Sequence, residues 1–295
     1  MQSRGFLFVA TAAVLWAISG AVSKYLFIGG MDSMTLTKFR LTFSSITLLM
    51  VLIVNRPSEL VIKKEDIGHY IFLGLAMASV QFSYLFAISK INVATAILLQ
   101  YMSPVLIVCY FFIFKGIKPE KRTVLSIIMA ITGCFYAVGA YNSELLSLNT
   151  TGIIGGLISA CCFAIYSIKG ESMMDKYSPQ ITIFYALLFG AIFILMAKPD
   201  MAFLSVKRSN IDWSSIIFIS TIGTVVPFFC YFKGISIIGS VKGNTTATLE
   251  PIAAGIISFF LLGETMESLQ ILGATMVISA VILLQQKKRN STNES

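Results

Sequence analysis

The stretch Gly243–Glu264 reads GNTTATLEPIAAGIISFFLLGE. It is apolar enough to sit in a bilayer, yet Glu250 and Pro251 lie side by side near its middle. An acidic side chain at the centre of a spanning helix costs about 2.5–3.5 kcal/mol on insertion scales. Pro251 lacks a backbone donor and crowds the carbonyl four residues back, at Ala247, so the helix is expected to bend or open there. A charge beside a kink inside a membrane points to a solute pathway.

The rest of the chain has the same character. Of its 295 residues, 56% are hydrophobic and only 12% charged, with a mean hydropathy of +0.84; soluble domains carry about 25% charged residues. The net charge of +8 does not indicate nucleic acid, because the basic residues fall in short runs between apolar segments, as membrane topology requires. All the cysteines (Cys109, Cys134, Cys161, Cys162 and Cys230) lie inside apolar runs without a C-x-x-C pair, and His69 is the sole histidine. No metal, redox or other cofactor is expected. The first apolar run, Gly5 to Phe27, is longer than a signal-peptide core and is read as retained.

The expected fold is an all-α membrane protein of ten transmembrane helices. The spans are roughly Gly5–Phe27, Met34–Val54, Gly68–Ala87, Ala94–Phe114 and Thr123–Gly139, then Gly152–Ile168, Gln180–Ala197, Trp213–Phe232, Gly243–Leu262 and Leu269–Gln285. With the amino terminus inside, the cytoplasmic face collects Arg4; Arg56, Lys63, Lys64; Lys115, Lys118, Lys121, Arg122; Lys169, Lys176; Lys233, Lys242; and Lys287, Lys288, Arg289. The outer face holds Lys90, Lys198, Lys207 and Arg208. Both termini are therefore expected in the cytoplasm of a multi-pass cell-membrane protein.

The chain also repeats itself. Shifted by 147 residues, its halves align without a gap: Gly5 falls on Gly152, Pro104 on Pro251, Gly116 on Gly263, Glu120 on Glu267, and FSYLFAISKI (Phe82–Ile91) on FCYFKGISII (Phe229–Ile238). Two units are expected, 1–142 and 149–286, followed by a polar tail, 287–295. Five spans per unit is an odd number, so the second enters from the opposite side: two inverted five-helix repeats, a recurring design of secondary transporters.

In such a design the solute site lies near the midplane beside interrupted helices, here kinked at Pro104 and Pro251. Ala96, Gln100 and Ser103 share one helical face, as do Gly243, Ala247, Glu250 and Ala254. Glu250 has two readings: it receives a proton or contacts a cationic group of the solute, or it is a structural carboxylate at the kink. Arg40 is placed to pair with Glu250 or to hold a carboxylate. Lys38 is expected to snorkel outward, and Lys24 to anchor at the interface. Trp16 offers a flat wall or simply packs, and Gln81, Tyr84, Tyr101, Tyr166, Tyr231 and Asn244 are candidate cavity residues, although residues of these types, taken singly, more often make interhelical hydrogen bonds than ligand contacts. The series Gly152, Gly156, Ala160, Ala164 is read as a close helix contact.

These residues resemble the EamA-type permeases of the drug/metabolite transporter superfamily. The resemblance rests on VLWAISG in the first span, Lys38-Phe39-Arg40, LLQYMSPVLIV in the fourth, TLEPIAAGIISFFLLGE and QILGATMVISAVILL. It covers essentially the whole chain; the first half departs from the pattern at Ser103 and Lys115-Gly116-Ile117. It implies a ten-helix inverted-repeat carrier with a central cavity formed mainly by the first four helices of each half. It also implies transport, often export, of small metabolites such as amino acids or amines.

The leading expectation is thus a secondary transporter of a small polar organic solute, with protons as a candidate co-substrate, the lipid bilayer as its solvent and no nucleic-acid partner. There is no phosphate-cradling G-x-x-x-x-G-K-[ST] motif. The competing classes are a membrane-embedded enzyme, for which no nucleophile–base pair is found, and a non-transporting sensor or scaffold. Oligomeric state is not written in the sequence.

Overall fold

The computed structural model describes residues 2–137, 141–199, 209–239, 242–243, 246–247 and 249–285, with the side chains of 104, 143–149, 281 and 284–285 aside. Among these residues every regular element is helical. Seven helical stretches are long and apolar enough to cross a membrane. They correspond to α1 (Gln2–Ile28), α2 (Ser33–Asn55), α3 (Ile67–Lys90), the broken pair α4 (Val93–Gln100) and α5 (Ser103–Lys115), α7 (Ser143–Met174), α8 (Pro179–Ala197), and the pair α9 (Asn210–Ser220) and α10 (Val226–Ile238). Three shorter helices occupy the remaining apolar segments: α6 (Lys121–Ala137), α11 (Leu249–Leu262) and α12 (Ser268–Gln285).

Local sequence sets the ends. Asp32 caps α2 by accepting from Thr35 N–H at 3.0 Å, and Ser209 with Asp212 forms a reciprocal capping box at the start of α9, satisfying amides that a helix start leaves unpaired. The structure extends two expected spans. α7 continues to Met174 and α10 to Ile238: Gly170 and Gly234 follow the expected ends, but a single interior glycine costs a helix only about 1 kcal/mol and does not stop it; α10 stops at Gly239, whose φ is +84°.

Among the described residues large apolar side chains face outward, and several polar ones are buried. Val54, Phe260 and Leu7 are exposed, whereas Arg40, Gln81, Gln100 and Glu250 are buried. That is the distribution expected when hydrocarbon replaces water around the protein. Lipid supplies no hydrophobic force between helices, so association relies on close backbone approach. α3 packs on α7 and α8, α1 on α10 and α11, α2 on α8, α4 on α7 and α11, and α6 on α12. Small residues make these approaches possible. A Cβ at Gly74 would fall on Phe189 and 2.9 Å from Gly190 N, and one at Gly273 would fall on Ala137 N and 2.5 Å from Gly133 O.

One lysine expectation needs correction. Lys38 is 2% exposed and does not snorkel. Lys24 turns inward: its Nζ donates to the carbonyls of Ile88 (2.8 Å) and Ile91 (3.0 Å) and lies 3.9 Å from Glu264 Oε1. These carbonyls end α3, where no amide follows to pair with them, and an ammonium there is favoured. The other Glu264 oxygen, Oε2, accepts from Val93 N–H at 3.1 Å.

The opposite end of α3 is tied as well. Asp66 accepts from Lys176 Nζ and from Tyr177 hydroxyl, both at 2.8 Å, and Glu59 accepts from Ser178 hydroxyl at 2.7 Å. The bond to Asp66 holds the Lys176 ammonium above its ordinary pKa, and the Ser178 bond holds the Glu59 carboxyl below its own.

Overpacking of a helix seam costs about 1–3 kcal/mol. Gly273→Ala, which meets backbone atoms of α6, is therefore expected to lower the unfolding free energy by at least that amount. Gly68→Ala, where nothing lies within 4 Å, is expected to be neutral or slightly stabilising. Unfolding in detergent micelles measures both.

Candidate solute-binding cavity

Trp16, Arg40, Val80, Gln81, Tyr84, Gln100, Tyr101, Phe163, Phe228 and Glu250 line one internal cavity. Broken helices build its centre. α4 ends at Gln100, Tyr101 and Met102 form a turn, and α5 begins at Ser103 with Pro104 in its first turn. α11 begins at Leu249, which puts Glu250 in its first turn beside Pro251. A carboxylate in that position faces the positive end of the helix.

Two tyrosines complete the carboxylate's surroundings. Tyr101 hydroxyl donates to Glu250 Oε2 at 2.7 Å, and Tyr84 hydroxyl to Oε1 at the longer distance of 3.4 Å. Arg40 donates from Nε to Thr224 Oγ1 at 2.6 Å and from Nη2 to Gly223 O at 3.1 Å. No ion pair within 4 Å joins Arg40 to Glu250, although both line the cavity.

The walls are aromatic and amide. Trp16 meets Phe228 edge-on with ring centroids 5.0 Å apart, and Phe163 at 6.3 Å. Gln100 Nε2 donates to Ser159 Oγ at 2.7 Å, and Gln81 Nε2 approaches Met77 Sδ at 3.7 Å. The space open to the centre of a water molecule is about 20 Å³, little more than one such sphere. Every side chain that lines it is buried, so the polar groups face one another across a narrow space.

Of the residues picked from sequence, Trp16, Arg40, Gln81, Tyr84, Gln100, Tyr101 and Glu250 meet in this cavity. Tyr231 and Tyr166 sit one layer back. Tyr231 packs on Trp16 at 5.4 Å with its hydroxyl 3.1 Å from Ser167 Oγ, and Tyr166 packs among Phe163, Phe228 and Phe232. Asn244 lies outside the described residues. Sequence reasoning missed Val80, Phe163 and Phe228, yet the shift of 147 places Phe163 on Trp16 and Phe228 on Gln81. It also missed the partners of Arg40, Thr224 and Gly223.

The sequence model of the EamA-like transporter family matches residues 3–139 and again 150–285. The chain belongs to the EamA-like transporter family. It is 30% identical to an uncharacterized inner membrane transporter, YicL, of Salmonella typhimurium, over 97% of this chain and 96% of that one. It is also 30% identical to an uncharacterized transporter of Archaeoglobus fulgidus, over 92% and 94% of the two chains. The threonine/homoserine exporter RhtA of Escherichia coli is 20% identical over 93% of this chain and 88% of its own. A solved crystal structure, 15% identical, superposes with a TM-score of 0.69 over 97% of this chain and 98% of that one; at that identity the likeness shows the fold. This EamA-like protein is a multi-pass membrane transporter of a small-molecule solute, and not an enzyme.

Hydrogen bonds between membrane helices are worth on average about 0.6 kcal/mol, and up to about 1.7; bonds to a charged partner lie at the upper end. Tyr101→Phe is expected to lower unfolding free energy by about 1–2 kcal/mol, and Tyr84→Phe, with the longer bond, by less than half as much. Paired unfolding curves in micelles test the ranking, and equal losses would contradict it.

Proposed function

We propose that this chain is a secondary carrier that exports a small polar metabolite, amino-acid-like or amine-like, across the cell membrane by alternating access. The observation that carries the proposal is the buried cavity, which holds the carboxyl group of Glu250 and the guanidinium of Arg40 without pairing them and is lined from both halves of the chain. A carboxyl group and a guanidinium that are not bonded to each other suit a small polar solute. A cavity with room for about one water calls for opening on each side in turn. The printed activity of the relative RhtA supports both export and an amino-acid-like solute.

In this reading the chain crosses the membrane ten times in two inverted five-helix repeats, 1–142 and 149–286, with a polar tail at 287–295 and both termini cytoplasmic. The two matches of the family model support the division. Packing supports the symmetry. A Cβ at Gly5 would meet Ile237 and Ile238, and one at Gly152 would meet Lys90 and Ile91, which are the same contacts after the shift of 147. Gly116 and Gly263, also related by that shift, both follow a helix with positive φ, +68° and +66°; only glycine enters that region without strain. Packing of α3 on α7 is likewise matched by packing of α10 on α1. α6 and α12, with 17 and 18 residues, would span roughly 26 Å, short for a crossing but within what a bilayer accommodates by thinning.

Pro104 and Pro251 act in this reading as the kinks about which the cavity is built, and Glu250 as the proton-accepting or cation-contacting group. In proteoliposomes, Glu250→Gln is expected to abolish the dependence of transport on a proton gradient. Full retention of that dependence would remove the coupling role. A fluorescent protein fused after Ser295 should fluoresce and an alkaline phosphatase fused there should be inactive; the reverse pattern would invert the topology.

A further inference from the structure

The chain between α9 and α10 is not an ordinary helix. Residues Thr221–Val225 form a π-turn, a local widening common at functional sites. Val226 N–H bonds five residues back, to Thr221 O, and Thr224 hydroxyl donates to Ile219 O at 2.7 Å. Pro227 follows in the first turn of α10. In a regular helix the amide of residue 227 would bond the carbonyl of Gly223, but proline has no N–H. That carbonyl is therefore free, and it accepts from Arg40 Nη2. The Thr224 hydroxyl, having donated to Ile219, has a lone pair left for Arg40 Nε. Gly223 keeps the turn close to α1, since a Cβ there would lie 2.6 Å from Ser19 Oγ.

The turn thus holds two of the three guanidinium nitrogens. The third, Nη1, is buried and has no hydrogen-bond partner, in a residue that lines the cavity and is only 2% exposed. A buried N–H of a cation is costly to leave unmade. Among the described residues the carboxyl group lining the cavity is that of Glu250, and it is held by Tyr101 and Tyr84 instead.

Building on the carrier reading above, we infer that Arg40 Nη1 is a carboxylate subsite, aimed by Thr224, Gly223 and Pro227, so that the transported solute carries a carboxylate together with its amine. Glu250, within the same walls, is the natural counterpart for the ammonium, and Trp16 offers it a ring face. The π-turn residues position Arg40 and do not touch the solute.

Calorimetry on the purified full chain tests this with matched pairs: L-threonine against 1-amino-2-propanol, and L-leucine against 3-methylbutylamine, each amine being its amino acid without the carboxylate. The protein is expected to bind the amino acids at least about tenfold more tightly, the low end for a charge-assisted bond. Arg40→Gln should abolish the advantage of each amino acid over its amine. Thr224→Val should do the same in part, and Thr224→Ser should restore it, which a role in folding alone would not produce. Should Arg40→Gln not fold, the two Thr224 variants decide. Equal affinity of the protein for acid and amine, parallel loss of both in Thr224→Val, or no binding of any amino acid overturns the subsite. If amines or other solutes still move across proteoliposomes, the carrier reading stands without it; if no solute moves, that reading falls separately.

Discussion

A carboxylate inside hydrocarbon must be surrounded by donors, and Glu250 governs how the centre of this protein is built. Its two oxygens take hydroxyls from Tyr101 and Tyr84, and its backbone sits in the first turn of α11. Each provision needs an interrupted helix. Tyr101 lies in the turn that separates α4 from α5, and Glu250 belongs to a helix that begins only at Leu249. A continuous helix at either place would carry the group on regular backbone and remove the helix end that favours the charge. The prolines at 104 and 251 set where such interruptions fall.

The same economy governs the cation. Arg40 comes from α2, a regular helix, so its surroundings are supplied by a neighbour whose own hydrogen bonding is irregular. The serines and threonines around it hold the arrangement: Ser44 Oγ lies 2.5 Å from the carbonyls of Arg40 and of Ser220, joining α2 to the end of α9. Arg40 and Glu250 line one cavity, yet separate sets of hydrogen bonds hold them.

Much of this was legible in the sequence. The fold class follows from composition and span length, and Glu250, Arg40 and Tyr101 announced themselves as polar residues in apolar runs. The repeat shift also contained Phe163 and Phe228, since each falls on a residue already chosen, but an aromatic in an apolar run carries no polar signal of its own. The partners of Arg40 were harder. Thr224 and Gly223 are ordinary residues in a membrane helix, and their role depends on a π-turn whose only trace in the sequence is Pro227. Lys38 was misread because long side chains usually reach for the interface. At Lys24 the unpaired carbonyls at the end of α3 offered a nearer set of acceptors, and sequence spacing says nothing of a neighbour 64 residues away.

One feature of α3 bears on how such a molecule can move. The helix is 24 residues long, about 36 Å, and it is moored at both extremities by charged side chains: Lys24 at its finish, Asp66 with Lys176 and Tyr177 at its start. A rod fastened twice cannot swing, whereas a rod released at one mooring pivots about the other. Loss of either set of bonds would free one end of α3 while the other still held it against its neighbours.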